Sequence, residues 1–285
     1  MRSTLTAILL IMIFVNPLSA KELTGTLLQI KESGKIRIGY REVEPPMSFK
    51  DIDGVPAGYT IDICKHVIAE VKEKTGTDIQ VEYVPVTAKE RFNALVDNRI
   101  DILCGSTTKT LSRSEIVDFT QLTFVTGASL MTLRGKKIND TEALKGKKIG
   151  VVKGTTTVEA LKKMLQKALI IAVPVTYGTA GEGLAALRKG EIDAFASDQV
   201  VLIGLASKTK DPNEFTIASM VFSYEPFALA VRRNDADFRL VADRALSRLY
   251  RSGEILQTYE RWIGRFVPER PQIFDAMFML QATPE

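Results

Sequence analysis

Residues 104–113 read CGSTTKTLSR, a run of hydroxyl side chains closed by an arginine. Gly105 allows a sharp turn that exposes neighbouring N–H groups. Ser106 and Thr108 offer hydroxyls, and Arg113 offers a planar, permanently charged fork of donors. Such a cluster grips an anion: a phosphate, a nucleophile's oxyanion or a small carboxylate. A nucleotide cradle of the form G-x-x-x-x-G-K-[ST] does not occur. A serine nucleophile needs a base. The only histidine, His66, lies far along the chain from Ser106, and no G-x-S-x-G elbow exists. Both absences disfavour a nucleotide loop and a Ser-His-Asp hydrolase and leave the carboxylate.

Other stretches converge on the same chemistry. Arg41 follows the first predicted strand and Arg91 follows the second. Lys153-Gly-Thr-Thr-Thr157 ends a strand and opens a helix, so Thr155, Thr156 and Thr157 would line an anion site at a helix N-terminus. Asp198 ends a later strand and offers one carboxylate. Plainer roles compete with each of these. Arg41 and Arg91 would serve equally as surface cations paired with Glu42 and Glu90, and Thr155–Thr157 and Asp198 as helix caps. Tyr40, Phe49 and Tyr59 fit a core as well as a ligand. No Cys/His spacing resembles a metal-ligand set, and no cofactor is expected.

The elements that must position these residues follow from hydrophobic period. A helix over 23–33, a strand over 35–40, a helix over 60–74, a strand over 79–84, a helix over 89–98 and a strand over 100–103 alternate. The rhythm restarts after Gly135, with strands at 147–152, 170–175 and 192–196 and helices at 157–168 and 181–189. The pairs Ile100-Asp101 and Ile192-Asp193 end both units alike. A strand over 227–232 and helices over 235–250 and 252–262 complete the chain. Alternation of this kind implies α/β units with parallel, buried sheets, and ligands bind at the carboxyl ends of such strands.

The chain has 285 residues, 45% hydrophobic and 25% charged, with a net charge of +4. That is globular composition with scattered basic residues, and it makes nucleic acid a poor partner. Residues 1–20 have the layout of a secretory signal peptide: Arg2, an apolar stretch over 7–15, and the small pair Ser19-Ala20. Export places the protein in an oxidising compartment, where Cys64 and Cys104 are free to pair. Both fall on predicted buried faces, and two buried free thiols is the reading favoured over a bridge.

These residues resemble a family: the periplasmic solute-binding proteins (family 3) of polar amino-acid ABC transporters, and within it the glutamate/aspartate-binding members. The likeness rests on Gly39-Tyr-Arg-Glu42, Pro46 and Phe49, Gly58-Tyr-Thr-Ile-Asp-Ile63, Arg91, CGSTT with Arg113, Asp118-Phe-Thr120, Leu144-Lys-Gly146, Gly154-Thr-Thr156 and the stretch from Gly253 to Trp262. It implies a two-lobed α/β fold of type II. The lobes would be 24–126 with 231–285 and 127–230, joined by two crossings near Thr126-Gly127 and Ala228–Ala230. It implies a monomer that is not an enzyme, takes an amino acid in the periplasm and hands it to an inner-membrane ABC permease.

It further implies roles: Arg113 and Thr155–Thr157 on the α-carboxylate, Asp198 on the ammonium with Ser106 and Thr108 as neutral acceptors, and Arg41 and Arg91 on a distal carboxylate. Two positions depart from the family pattern. Ala88 stands where a serine is expected and Ala180 where a histidine is expected, which should enlarge the distal pocket. An acidic amino acid is the expected ligand. Another polar amino acid such as glutamine, a dehydratase-like enzyme on this scaffold, and a receptor lobe are the alternatives.

Overall fold

The computed structural model describes residues 22–136, 141–267 and 269–285, so the expected leader at 1–20 lies outside the described residues. The chain opens with α1 (Gly25–Ser33) and β1 (Lys35–Tyr40). Three short strands follow, β2 (Val43–Glu44), β3 (Ser48–Lys50) and β4 (Pro56–Ala57). Then come α2 (Tyr59–Thr75), β5 (Gln80–Pro85), α3 (Arg91–Val96), β6 (Ile102–Cys104) and α4 (Leu111–Ser114). Two long strands, β7 (Val117–Thr126) and β8 (Ala128–Leu133), carry the chain onward. The second unit holds β9 (Lys148–Val152), α5 (Thr156–Lys167), β10 (Val173–Tyr177), α6 (Ala180–Arg188), β11 (Ala194–Asp198), α7 (Gln199–Ser207) and β12 (Phe215–Ile217). Strand β13 (Glu225–Arg232) and helices α8 (Ala236–Ser252), α9 (Glu254–Tyr259) and α10 (Gln272–Gln281) close the chain.

Two five-stranded sheets result, ordered β5-β1-β6-β13-β7 and β10-β9-β11-β8-β12, with β2-β3-β4 as a small third sheet. The expectation of parallel sheets is corrected by the pairing. The β5-β1-β6 and β10-β9-β11 triplets are parallel, but β13 and β7 in one sheet and β8 and β12 in the other run antiparallel. Strands β7 and β8 lacked a strand–helix alternation to betray them. Strand β13 pairs with β7 from Glu225 to Arg232, with register shifts near Ala228, and with β6 at Ala230 and Val231, so residues 225–232 lie in the first sheet. The crossing expected at Ala228–Ala230 therefore falls inside a strand. The chain passes from β12 in the second sheet to β13 in the first between Ile217 and Glu225, and there Phe222 N–H donates to Ala128 O and Ala128 N–H donates to Ser223 Oγ.

The two Ile-Asp pairs do the same job in each unit. Asp101, almost fully buried, accepts from Arg37 N–H at 2.8 Å and pairs with the Arg37 and Arg232 guanidiniums. Asp193 accepts from Lys148 N–H at 2.9 Å at the equivalent place. Each carboxylate pins the start of the unit's first strand to its third, which fixes the height at which the strand ends deliver their loops.

Cys64 on α2 and Cys104 at the end of β6 form a disulfide with Cα atoms 6.4 Å apart, and no described cysteine is free. The expectation of two free thiols is thus corrected. Both positions are buried, as expected, but helix and strand pack with their sulfurs in contact. The aromatics after β1 take core roles: Tyr59 is fully buried, donates its hydroxyl to Thr123 O and packs edge-on to Phe124. Phe49 packs against Trp262, whose indole N–H donates to Asp62.

Candidate functional site

The carboxyl ends of β1, β5, β6 and β11 and the start of α5 meet between the two large sheets. They bring together three guanidiniums and three carboxylates. Arg41, Arg91, Glu44, Asp198 and Glu225 are buried, and Arg113 is partly so. Arg91, at 2% exposure, donates to Ala88 O and, across the interface, to Gly154 O at 3.3 Å. Its Nε has no partner among the described residues. Arg113 donates to Thr108 O at 2.8 Å and reaches the same Gly154 O at 3.4 Å. Both guanidiniums lie over the Phe92 ring. Burial holds Arg91 well below the ordinary arginine range, and repulsion from Arg113 and Arg41 adds to it. Burial lowers Arg113 as well. A site that strains to keep two cations dry favours whatever anion joins them.

Asp198 supplies a buried carboxyl group opposite these cations. It stands at the N-cap of α7 but makes no capping bond, and its Oδ1 is buried without a partner. Burial raises its carboxyl well above the usual carboxylate range, helped by Glu225 and Glu44 and opposed by Arg113 and Arg91. The helix-cap role weighed for Asp198 is therefore not the one its side chain plays. Nor does Thr155 cap α5, since its hydroxyl donates to Val152 O.

Sequence reasoning missed two of the carboxylates. Glu44 sits three residues after Arg41, pairs with its Nη2 at 2.7 Å and accepts from Ser106 Oγ. The i,i+3 spacing was the available signal, masked by the neighbouring Glu42. Glu42 turns outward to Lys50. Glu225 accepts Thr108 and Thr156 hydroxyls on one oxygen, each at 2.6 Å, and Ser223 on the other at 2.7 Å. No local motif marks it. An ionised carboxylate only accepts, so Ser106, Thr108 and Thr156 must spend their single protons on Glu44 and Glu225. Their oxygens are left as acceptors, which suits an ammonium.

Nine residues were expected at the site, and the structure disperses their contacts unevenly. Arg91, Arg113, Thr108, Thr156 and Asp198 face one another across the cleft. Arg41 and Ser106 are engaged by Glu44, Thr155 turns to its own backbone, and Thr157 is buried at 2% exposure. Glycines let the two halves meet closely. At Gly154, with φ near +85°, a Cβ would press Ala88 O at 3.2 Å. At Gly204 it would lie 2.1 Å from Pro45 O. Two voids border the charged cluster. A groove of about 1430 Å³ runs past Thr108, Arg113, Thr156 and Glu225, and a cavity of about 200 Å³ adjoins Arg41, Glu44, Thr179 and Ala180.

Two α/β units meet at a buried cluster of charged groups in which Arg91 Nε and Asp198 Oδ1 are left without partners among the described residues. The chain belongs to the bacterial extracellular solute-binding proteins, family 3, which residues 36–265 match. An L-glutamate/L-aspartate-binding protein of Pseudomonas aeruginosa is 33% identical over 256 residues, covering 89% of this chain and 85% of that protein. A glutamate/aspartate import solute-binding protein of Salmonella typhimurium is 30% identical over 247 residues, 86% of this chain and 82% of that one. Among solved structures, an ancestral arginine-binding protein bound to arginine superposes with a TM-score of 0.73 at 28% identity, covering 81% of this chain and 99% of its own.

Proposed function

We propose that this protein captures an acidic amino acid, glutamate or aspartate, between its two sheets in the periplasm and delivers it as a monomer to an ABC permease. The observation that carries the reading is the pair of buried orphans, Asp198 Oδ1 and Arg91 Nε, set on opposite sides of one cleft. An α-amino acid offers an ammonium to the first. Arg113, with the backbone N–H groups at the start of α5, takes the α-carboxylate, while the Thr155, Thr156 and Thr157 side chains only line that end of the cleft. Thr108 and Ser106 complete the ammonium shell as acceptors. Arg91, aided by Arg41, meets the distal carboxylate. Charge-assisted hydrogen bonds contribute about 1.5–3 kcal/mol each, so a few of them in a closed cleft reach micromolar affinity or better.

The two sheets would be the cores of two lobes that hinge where Thr126-Gly127 and residues 218–224 cross side by side. Ligand touching both halves favours the closed arrangement, because only contacts that differ between open and closed states shift that equilibrium. A second reading, a neutral amino acid such as glutamine, draws support from the Arg41–Glu44 ion pair, which as a unit carries no net charge.

Calorimetric titration of the purified protein against the twenty amino acids tests this. Saturable binding of glutamate or aspartate without turnover is the expected outcome. No binding of any amino acid overturns the reading, and product formed from a carboxylate moves the case to an enzyme.

A further inference from the structure

Glu44 has no part in the ligand shell just described, yet it is buried in the middle of it at 7% exposure. The short antiparallel pairing of β2 with β3 holds it in place, opposite Ser48. Its two oxygens are both committed, one to Arg41 Nη2 at 2.7 Å and one to Ser106 Oγ. Its charge also reaches both orphans, raising Asp198 and offsetting the depression of Arg91. The Arg41–Glu44 pair forms one wall of the cavity of about 200 Å³ that Thr179 and Ala180 close from the other sheet's side.

The electrostatic consequence is simple. A lone buried guanidinium attracts a carboxylate strongly at low dielectric, but a guanidinium with a carboxylate beside it presents a dipole. A distal carboxylate entering this corner meets an attractive cation and, just beyond it, a repulsive anion. A carboxamide meets complementary groups in both, since its oxygen accepts from Arg41 and its nitrogen donates towards Glu44.

We propose that Glu44 is the specificity-determining residue of this site: by pairing with Arg41 it cancels one of the two cations facing the ligand's side chain, so that the site admits the side-chain amide alongside the acid. The inference rests on the reading that Arg41 and Arg91 face the distal end of a bound amino acid. Selectivity here is set by a repulsive group built in beside an attractive one.

The test is calorimetric titration of glutamate and glutamine into wild-type protein, Glu44→Gln and Glu44→Asp. Wild type binds the two with affinities within roughly tenfold of each other. Glu44→Gln raises the preference for glutamate by a further factor of about ten, and Glu44→Asp, which keeps the charge, stays near wild type. A ratio unmoved by Glu44→Gln, or a wild type that already prefers glutamate by roughly a hundredfold, overturns the proposal while leaving the acidic-ligand reading intact. Wild type that binds neither overturns this proposal, and wild type that binds neither these nor aspartate overturns the acidic-ligand reading as well. If Glu44→Gln fails to fold, Arg41→Gln reads the pair from its other side. It exposes Glu44 and costs glutamate more than glutamine, and equal losses overturn the proposal.

Discussion

Asp198 and Arg91 carry the account at the scale of single residues. Asp198 titrates above its ordinary range because it is buried, so the folded protein holds a proton that the unfolded chain releases. Its contribution to stability therefore falls as pH rises from the ordinary carboxylate range towards the raised value. An ammonium beside it reverses the shift and expels the proton. Binding at a pH between the ordinary carboxylate range and the raised value should thus release a proton, and affinity should climb with pH through that window. Calorimetry in two buffers of different ionisation enthalpy reads the release directly, and Asp198→Asn should abolish it together with most of the affinity. Arg113→Ala should remove binding of every amino acid. Arg91→Ala should weaken acidic ligands selectively, by about 1.5–3 kcal/mol, measured as the glutamate-to-glutamine ratio. That Arg91, Arg113 and Asp198 would lie near one another was legible, because strand ends mark where side chains converge. The partners Glu44 and Glu225 were not, because nothing local separates a buried carboxylate from the solvated Glu42 beside it.

At the scale of elements, the alternation of strand and helix was readable because buried parallel strands and amphipathic helices have distinct periods. The antiparallel strands β7, β8 and β13 were harder, since their pairing depends on partners far along the chain. The disulfide illustrates the same limit: burial of Cys64 and Cys104 was visible, contact was not. It closes a separation of 40 residues immediately before Gly105 and Ser106. A loop of that size contributes about 4 kcal/mol on the chain-entropy estimate. Reduction, or Cys104→Ala, should lower the thermal midpoint of the protein, as differential scanning calorimetry would record. Gly204→Val makes a cleaner test of packing between α7 and the Pro45 carbonyl, because a Cβ at this position would lie 2.1 Å from Pro45 O. It should weaken every amino acid alike by holding the halves apart.

For the whole molecule, Glu225 is the point where the two halves are latched. Its carboxylate accepts Thr108 from one side and Thr156 from the other, while Ser223 beside the return crossing binds its second oxygen. Glu225→Gln keeps the shape and loses the charge on those bonds, so the open population should grow and affinity for all ligands fall about tenfold. Small-angle scattering should show ligand compacting wild type more completely than the variant. Saturating ligand should also raise stability by about 2.7 kcal/mol at one hundred times Kd, seen as a shift in thermal midpoint. The two-lobed organisation was readable from the repeated Ile-Asp units. The sheet that β13 joins was not, because this strand reads as the last strand of either unit until its neighbours are known.

The structure of the protein crystallised with glutamate tests the central claim most directly. The account predicts the ammonium on Asp198 Oδ1 with Thr108 and Ser106, the α-carboxylate on Arg113, and the distal carboxylate within hydrogen-bond reach of Arg91 Nε. Glutamate bound away from Asp198, or with Arg91 Nε facing no part of it, would contradict the account.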